Sequence, residues 1–236
     1  MTDNLYFRQL RAGRDLAMSD RVAAQMANFV YLVGDPETRQ CLVVDPAWDI
    51  DGIIEVAGAD GYTIAGALIT HHHPDHVGGP LFGHDVSGVA SLLERVSCPV
   101  HVHRTEAPWV QVVAGIEPGD MVLHDHADRV TVGSVEVECL HTPGHTPGSL
   151  CFRCGDALIT GDTVFLQGCG RTDFPGGDAE ELHRTLYERL AGLPGDLEVY
   201  AGHDYGAVPH DSLERVRKTN PSLQVPDLQT FLRYRG

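Results

Sequence analysis

Residues 71–76 read His-His-His-Pro-Asp-His and concentrate imidazole and carboxylate in one short segment. On an extended backbone alternate side chains share a face, so His71 and His73 can face one ion while His72 points away. Pro74 breaks the extension, and Asp75 and His76 then turn to a second position nearby. Imidazole and carboxylate together suit Zn²⁺, and also Fe, Mn or Co. A histidine run can equally be a solvated loop or an expression tag. A tag sits at a terminus, whereas this run lies behind a buried apolar strand and contains Pro-Asp.

Three further polar residues follow predicted strands in the same way: His145, Asp162 and His203. The loop from His141 to Gly148 holds two prolines and two glycines, which fix a tight turn able to aim an imidazole. Spacing alone does not choose between His141 and His145. Asp162, in Gly161-Asp162-Thr163, would on its own be an ordinary turn or cap residue. His203 on its own would be structural. In company with residues 71–76 both become candidate ligands. Asp45, at the end of an early strand, is either a turn residue or an acceptor behind a ligand imidazole.

The elements that must position these residues follow from the apolar patterning. Strands are predicted over 28–34 and 40–45, joined by a turn at Gly34-Asp35-Pro36, and over 64–70 and 99–103. Short strands with period-two patterning are expected within 121–140, then strands at 149–154, 157–160 and 197–200. Helices are predicted over 49–58, 86–96, 105–114 and 178–191, with two more near 211–218 and 226–233. Alternation of strand pairs and helices in both halves predicts an α/β protein with helices outside layered sheets. Residues at strand ends can share one site, because a rigid sheet holds several loops at a common rim.

Composition narrows the partners. The chain has 236 residues, 33 acids against 17 bases, a formal charge of −16 and 14 histidines. That balance disfavours a nucleic-acid partner, whose binding relies on Lys and Arg neutralising phosphates. It also disfavours docking on an anionic membrane. The apolar run Ile64–Ile69 is far short of the ~18 residues of a membrane span. Residues 1–8 show no basic region followed by an apolar stretch, so the expected compartment is the cytoplasm. Six cysteines form no disulfide framework. Cys151 and Cys154 fall on opposite faces of one predicted strand and are expected in the core, while Cys169 is placed by its Gly-rich loop near the cleft. The histidines at 84, 101, 103, 124, 126, 183 and 210 are expected at the surface or satisfied.

The ordered set Thr70-His71-His72-His73-Pro74-Asp75-His76, Thr142-Pro143-Gly144-His145, Gly161-Asp162-Thr163 and Gly202-His203-Asp204 resembles the metallo-β-lactamase superfamily of hydrolases over residues 28–205. The resemblance implies an αββα sandwich of two mixed sheets with outer helices. It implies a single domain spanning 1–236, with C-terminal helices over 208–236 packed on it. It implies a two-metal cleft, with His71, His73 and His145 on one ion, Asp75, His76 and His203 on the other, and Asp162 bridging. It prefers His145 over His141.

Within the superfamily the chain looks like the glyoxalase II and persulfide dioxygenase branch. Gly168-Cys169-Gly170-Arg171 is similar to both groups. Thr172-Asp173-Phe174 is similar to persulfide dioxygenases and to short glyoxalase II-like proteins, which often carry the Pro175-Gly176-Gly177-Asp178 seen here. The His-His-His-x-Asp-His-x-Gly-Gly form at 71–79 looks more like glyoxalase II. Ser149 stands where persulfide dioxygenases commonly have Cys. Full-length glyoxalase II adds a C-terminal helical domain that helps hold glutathione; the short stretch after His203 departs from it and leaves room for another thiol carrier.

The expected activity is metal-dependent hydrolysis of a thioester such as a hydroxyacylglutathione. Two Zn²⁺ would activate the attacking hydroxide, oriented by Asp75 or Asp162, and the thiolate leaves without a strong general acid. The alternative is a persulfide dioxygenase with a single Fe²⁺ on His71, His145 and Asp162, acting with O2 on a thiol persulfide; mixed Zn/Fe/Mn occupancy is a further option. Arg171, Thr172, Asp173 and Tyr205 are the candidates for the substrate pocket. Arg171 either clamps a substrate carboxylate or pairs internally with Asp173. The oligomeric state, a homodimer among the options, is not legible in the sequence.

Overall fold

The computed structural model describes residues 5–235. Met1–Asn4, half of the stretch read for a leader, and Gly236 lie outside them. The first half of the chain builds β1 (Tyr6–Arg11), β2 (Phe29–Asp35), β3 (Gln40–Val44), β4 (Thr63–Leu68), a hairpin of β5 (Gly79–Leu81) and β6 (His84–Val86), then β7 (Val100–His103) and β8 (Met121–His124). Its helices are α1 (Arg21–Met26), α2 (Ile50–Ala59), α3 (Pro74–Val77), α4 (Val89–Leu93) and α5 (Ala107–Ala114). The second half builds β9 (Arg129–Val132), β10 (Val135–His141), β11 (Leu150–Cys154), β12 (Ala157–Gly161), β13 (Glu198–Ala201) and β14 (Asp211–Ser212). Helices α6 (Ala179–Arg184), α7 (Leu213–Thr219) and α8 (Leu228–Arg235) complete it.

Two mixed six-stranded sheets result, ordered β1-β2-β3-β4-β7-β8 and β14-β13-β12-β11-β10-β9. Alternating side-chain direction, with both faces covered, makes them a sandwich. In β2, Phe29, Tyr31 and Val33 face the second sheet and pack on Val137, Phe152, Ile159 and Tyr200. The alternate residues Val30 and Leu32 face outward and are covered by Ile50 and Ile53 of α2, Leu92 of α4 and Val110 of α5. The outer face of the second sheet, including Cys151, Leu158 and Val199, is covered by Leu182 of α6, Leu213 and Val216 of α7 and Phe231 of α8. This is the expected αββα arrangement of two mixed sheets. Cys151 and Cys154 fall in different cores on opposite faces of β11, as their spacing requires.

Some elements differ from expectation. The segment before Asn28 forms β1 and α1, whose mixed polarity hid them. The helix expected over 86–96 is confined to Val89–Leu93, because residues 84–86 pair with 79–81 instead. The helix expected over 178–191 is α-helical only to Arg184 and widens into π-type turns at Thr185–Arg189. Buried Thr185 gives its hydroxyl to the Pro143 carbonyl at 2.7 Å, tying the helix to the loop before His145 where its pitch changes. No helix among the described residues is long and apolar enough to cross a membrane.

Candidate metal centre

The candidate ligands converge on one rim of the sandwich because each follows the end of a strand. Residues 71–76 follow β4, His145 follows β10, Asp162 follows β12, His203 follows β13, and Asp45 follows β3. In the first loop His73 is extended at φ −63°, ψ 144° and precedes α3, whose first residue is Pro74. Proline is tolerated there because that N–H has no helical partner. The turn of α3 carries Asp75 and His76 back over His71.

Two groups of donors form. His71, His73 and His145 lie together, with His73 Nδ1 3.0 Å from His145 Nε2. Asp75, His76 and His203 form the second group. Asp75 Oδ2 is 3.4 Å from Nε2 of both His76 and His203, which are 3.3 Å from each other. Asp162 reaches both groups. Its Oδ2 is 3.7 Å from His145 Nε2 and 3.3 Å from His203 Nε2, and its Oδ1 is 3.5 Å from His76 Nε2. A third grouping, Asp45 with His71 and His76, lies behind them. It is a support rather than a separate site, since both Asp45 oxygens already accept hydrogen bonds.

The surroundings fix the ring tautomers. The Nδ1–H of His76 donates to Asp45 Oδ2 at 2.9 Å, that of His145 to the Arg171 carbonyl at 2.6 Å, and that of His203 to the Met26 carbonyl at 2.7 Å. His71 Nδ1 faces Thr70 Oγ1 at 3.0 Å, and that hydroxyl donates to Asp45 Oδ2 at 2.6 Å. Four imidazoles therefore turn Nε2 toward the cleft, the orientation that outer acceptors impose on metal-binding histidines.

Charge divides the two groups. Burial pushes the His71 imidazolium well below its ordinary value, aided by neighbouring histidines. Burial, then His145 and His72, push His73 down to about 3, and burial lowers His145 as well. These three rings are neutral at pH 7. In the second group burial opposes charge, but Asp75 and Asp162 raise His76, and Asp162 and Asp75 raise His203. Reciprocally, burial would raise both carboxyls, yet His76, His203 and the Asn28 amide hold Asp75 well below the usual carboxylate range. His203 and His76 do the same for Asp162.

The residues present fit divalent cations. Nε2 of His71 and Oδ1 of Asp162 are buried and make no hydrogen bond among the described residues. Buried polar atoms are normally satisfied, so two orphans aimed into one cleft point to a ligand that completes them. Glycine keeps the walls close: a Cβ at Gly202 would stand 2.3 Å from Asp162 Oδ1, and one at Gly170 2.6 Å from His145 Nδ1.

Other expectations sort differently. His141 is turned away, its Nε2 3.1 Å from the Pro147 carbonyl and its ring stacked on His103. The Arg171 guanidinium is engaged by Asp173 at 2.9 and 2.6 Å and lies over the Phe174 ring, so internal pairing holds it rather than an open clamp. Its carbonyl, which holds His145, is its contribution to the site. Thr172 follows in the same loop. Tyr205 stacks on His203 with ring centroids 4.7 Å apart, is half-exposed, and has its hydroxyl pushed up to about 12 by burial and by Asp162 and Asp75. Cys169 is buried in the core under the second sheet. The histidines outside the site are partnered; His101, for example, meets His124 at 2.9 Å, and His210 meets Glu198 at 2.9 Å.

Two buried residues at the site escaped sequence reasoning. Glu106 is fully buried; it accepts from the His72 amide at 2.8 Å and the Gly148 amide at 2.7 Å, and its Oε1 lies 2.5 Å from His72 Nδ1. Asn28 donates to Asp75 at 2.9 Å. The available signal was a polar residue bordering an apolar element: Asn28 before the run Phe29–Val33, and Glu106 before Ala107.

Comparison with known proteins agrees with this fold. The family model of the Metallo-beta-lactamase superfamily matches residues 25–203, and the chain belongs to that superfamily of metal-dependent enzymes. It is 27% identical over 208 residues to a probable polyketide biosynthesis zinc-dependent hydrolase, PksB, of Bacillus subtilis, covering 88% of this chain and 87% of that one. It is 32% identical over 218 residues to the human mitochondrial persulfide dioxygenase ETHE1, covering 88% and 76%. It is 38% identical over 182 residues to a hydroxyacylglutathione hydrolase of Polaromonas, covering 75% of this chain and 62% of that protein. Among solved structures, ETHE1 from Myxococcus xanthus superposes with a TM-score of 0.78 at 29% identity, covering 97% of this chain and 88% of that one.

Proposed function

We propose that this protein is a thioester hydrolase working with two divalent cations, zinc in the first instance. The observation that carries the reading is Asp162, whose carboxylate stands within 3.7 Å of His145 in one donor group and of His76 and His203 in the other. A complete second group with a shared carboxylate is a donor set for a pair of ions. Cations held there would lower the pKa of a bound water from about 15.7 toward ~7 and polarise a carbonyl. Asp75, ionised by its histidine neighbours, and Asp162 would orient the attacking water. His71, His73 and His145 would serve as neutral ligands. A thiolate leaves well, so no general acid is assigned. Tyr205 and the 171–174 loop flank the ligands and would contact the acyl or thiol portion. The substrate is a small thioester, a hydroxyacylglutathione among the candidates, and the acidic surface offers nothing for a nucleic acid or an anionic membrane.

A persulfide dioxygenase with one Fe²⁺ on His71, His145 and Asp162 is the second reading, favoured by similarity to ETHE1 over nearly the whole chain. Metal analysis of protein purified without added metal separates the two. Close to two zinc per chain with hydrolysis of S-lactoylglutathione or another thioester supports the hydrolase. One iron per chain with oxygen consumption on glutathione persulfide overturns it.

A further inference from the structure

Asn28 sits at the start of β2, 1% exposed, between α1 and the second donor group. Its Nδ2 is 2.9 Å from Asp75 Oδ2 and 3.2 Å from His76 Nε2. Its Oδ1 accepts from the Trp48 indole N–H at 3.1 Å. An indole nitrogen only donates, so this bond decides which way the amide faces: its oxygen points to Trp48 and its NH2 to the site. Trp48 is itself held, buried at φ +76° with its backbone N–H on the Ser87 carbonyl at 2.8 Å. The backbone around Asn28 is equally tied. Phe29 N–H bonds to Gly202 O at 2.8 Å, and Asn28 pairs with His203 in an antiparallel bridge.

Asp75 Oδ2 is the oxygen that faces both His76 and His203. It is therefore the atom an ion in the second group would use. A carboxylate oxygen has two lone pairs. The Asn28 amide takes one of them beside the His76 ring, its Nδ2 within 3.2 Å of His76 Nε2 as well. One amide thus fixes the carboxylate against the imidazole and leaves the second lone pair for the group. Among the described residues Asn28 makes no hydrogen bond to the first group, where the rings of His71 and His145 are oriented by Thr70 and Arg171.

We propose that Asn28, locked by Trp48, is a positioning residue for the second cation site and sets the affinity of that site independently of the first. The inference rests on the two-cation reading. Outer partners of this kind change metal affinity by ~10–100-fold.

The test is titration of metal-stripped full-length protein with Zn²⁺ against a competing chromophoric chelator, for wild type, Asn28→Ala, Trp48→Phe and the double variant. Wild type is expected to take two ions. Asn28→Ala should bind the first as wild type does and the second ~10–100-fold more weakly. Trp48→Phe, which keeps the ring and removes the N–H, should weaken the second ion alone and add nothing to Asn28→Ala. A merely structural role would weaken both ions together. Wild type taking two ions while Asn28→Ala leaves the second unchanged, or weakens both equally, overturns the inference and leaves the two-cation reading standing. Additive losses in the double variant overturn the role of Trp48 as the lock. Wild type taking one ion overturns the reading and the inference together.

Discussion

The carboxylate of Glu106 and the amide of Gly148, 2.7 Å apart, join the loop that carries His145 to the loop that carries His71 and His73. The other oxygen of the same carboxylate takes the His72 amide at 2.8 Å. One buried side chain outside both loops thus sets the distance between the three rings of the first donor group. It remains ionised: burial would raise it, but His72 and further donors lower it below the ordinary glutamate value.

Replacing Glu106 should therefore loosen the first group. Glu106→Ala leaves the His72 and Gly148 amides buried without acceptors, each costing about 1–3 kcal/mol. For a chain of this size that is a fall in Tm of at least ~4 °C. Glu106→Gln keeps one acceptor oxygen and should lie between wild type and Ala. Affinity for the first zinc should fall ~10–100-fold in the Ala variant. Thermal unfolding together with zinc competition checks this, and an unchanged first-ion affinity would refute the bracing role.

Asp45 braces the other group. It is held at φ +52° and its oxygens accept from the Thr70 amide at 2.8 Å, the Thr70 hydroxyl at 2.6 Å and His76 Nδ1 at 2.9 Å. Asp45→Asn can satisfy only one side of that arrangement with an oxygen. The amide NH2 then faces a donor, which frees His76 to adopt the wrong tautomer. Zinc affinity at the second site should drop ~10–100-fold with little change in secondary structure. Equal affinity in calorimetric titration would show that His76 orients itself.

The contrast between Asp45 and Glu106 shows what was legible before the structure. Asp45 ends a strand in the same half of the chain as the His71–His76 motif, so strand order makes it a candidate acceptor behind a ligand imidazole, and the fold chooses that role over a plain turn residue. Likewise the unbroken apolar run Phe29–Val33 predicts a strand, while which residues face which layer is seen only in the fold. Glu106 is different: besides the His72 ring, its partners are two backbone amides, 34 and 42 residues away in sequence. Main-chain donors leave no trace in residue types, so only the folded chain shows the contact. Asn28 is hidden for a related reason, because its partner Asp75 is brought to it by the pairing of β2, β3 and β4. Arg171 shows the converse. Its side chain drew attention, and its carbonyl does the positioning.

Acid should destabilise the protein through histidines outside the site. Burial, then His124, pushes His101 down to about 4; burial, then His141, does the same to His103. The ordinary value is near 6.5. Between about pH 6.5 and 4 the unfolded chain thus binds protons that the folded chain refuses, so stability falls as pH drops through that window. Replacing both residues by Asn removes the two proton sites and should flatten the curve. The check is urea unfolding of metal-stripped wild type and double variant at pH 7, 6 and 5. Parallel profiles would refute the assignment.

The sharpest dissection of the site uses its two aspartates. Asp75 touches only the second group, at 3.4 Å from His76 and His203, whereas Asp162 reaches both. Asp75→Ala should retain one zinc per chain and Asp162→Ala should retain neither firmly. If both ions are needed for hydrolysis, Asp75→Ala should cut thioesterase activity by about 100-fold or more, beyond the 10–100-fold typical of outer partners. A one-iron dioxygenase on His71, His145 and Asp162 would respond otherwise, losing activity with Asp162→Ala and His71→Ala but keeping most of it with Asp75→Ala. Metal content by plasma mass spectrometry and activity on the same preparations read both quantities. Full activity in an Asp75→Ala protein holding one ion would rule out the paired mechanism, because the second donor group would then be dispensable to the chemistry.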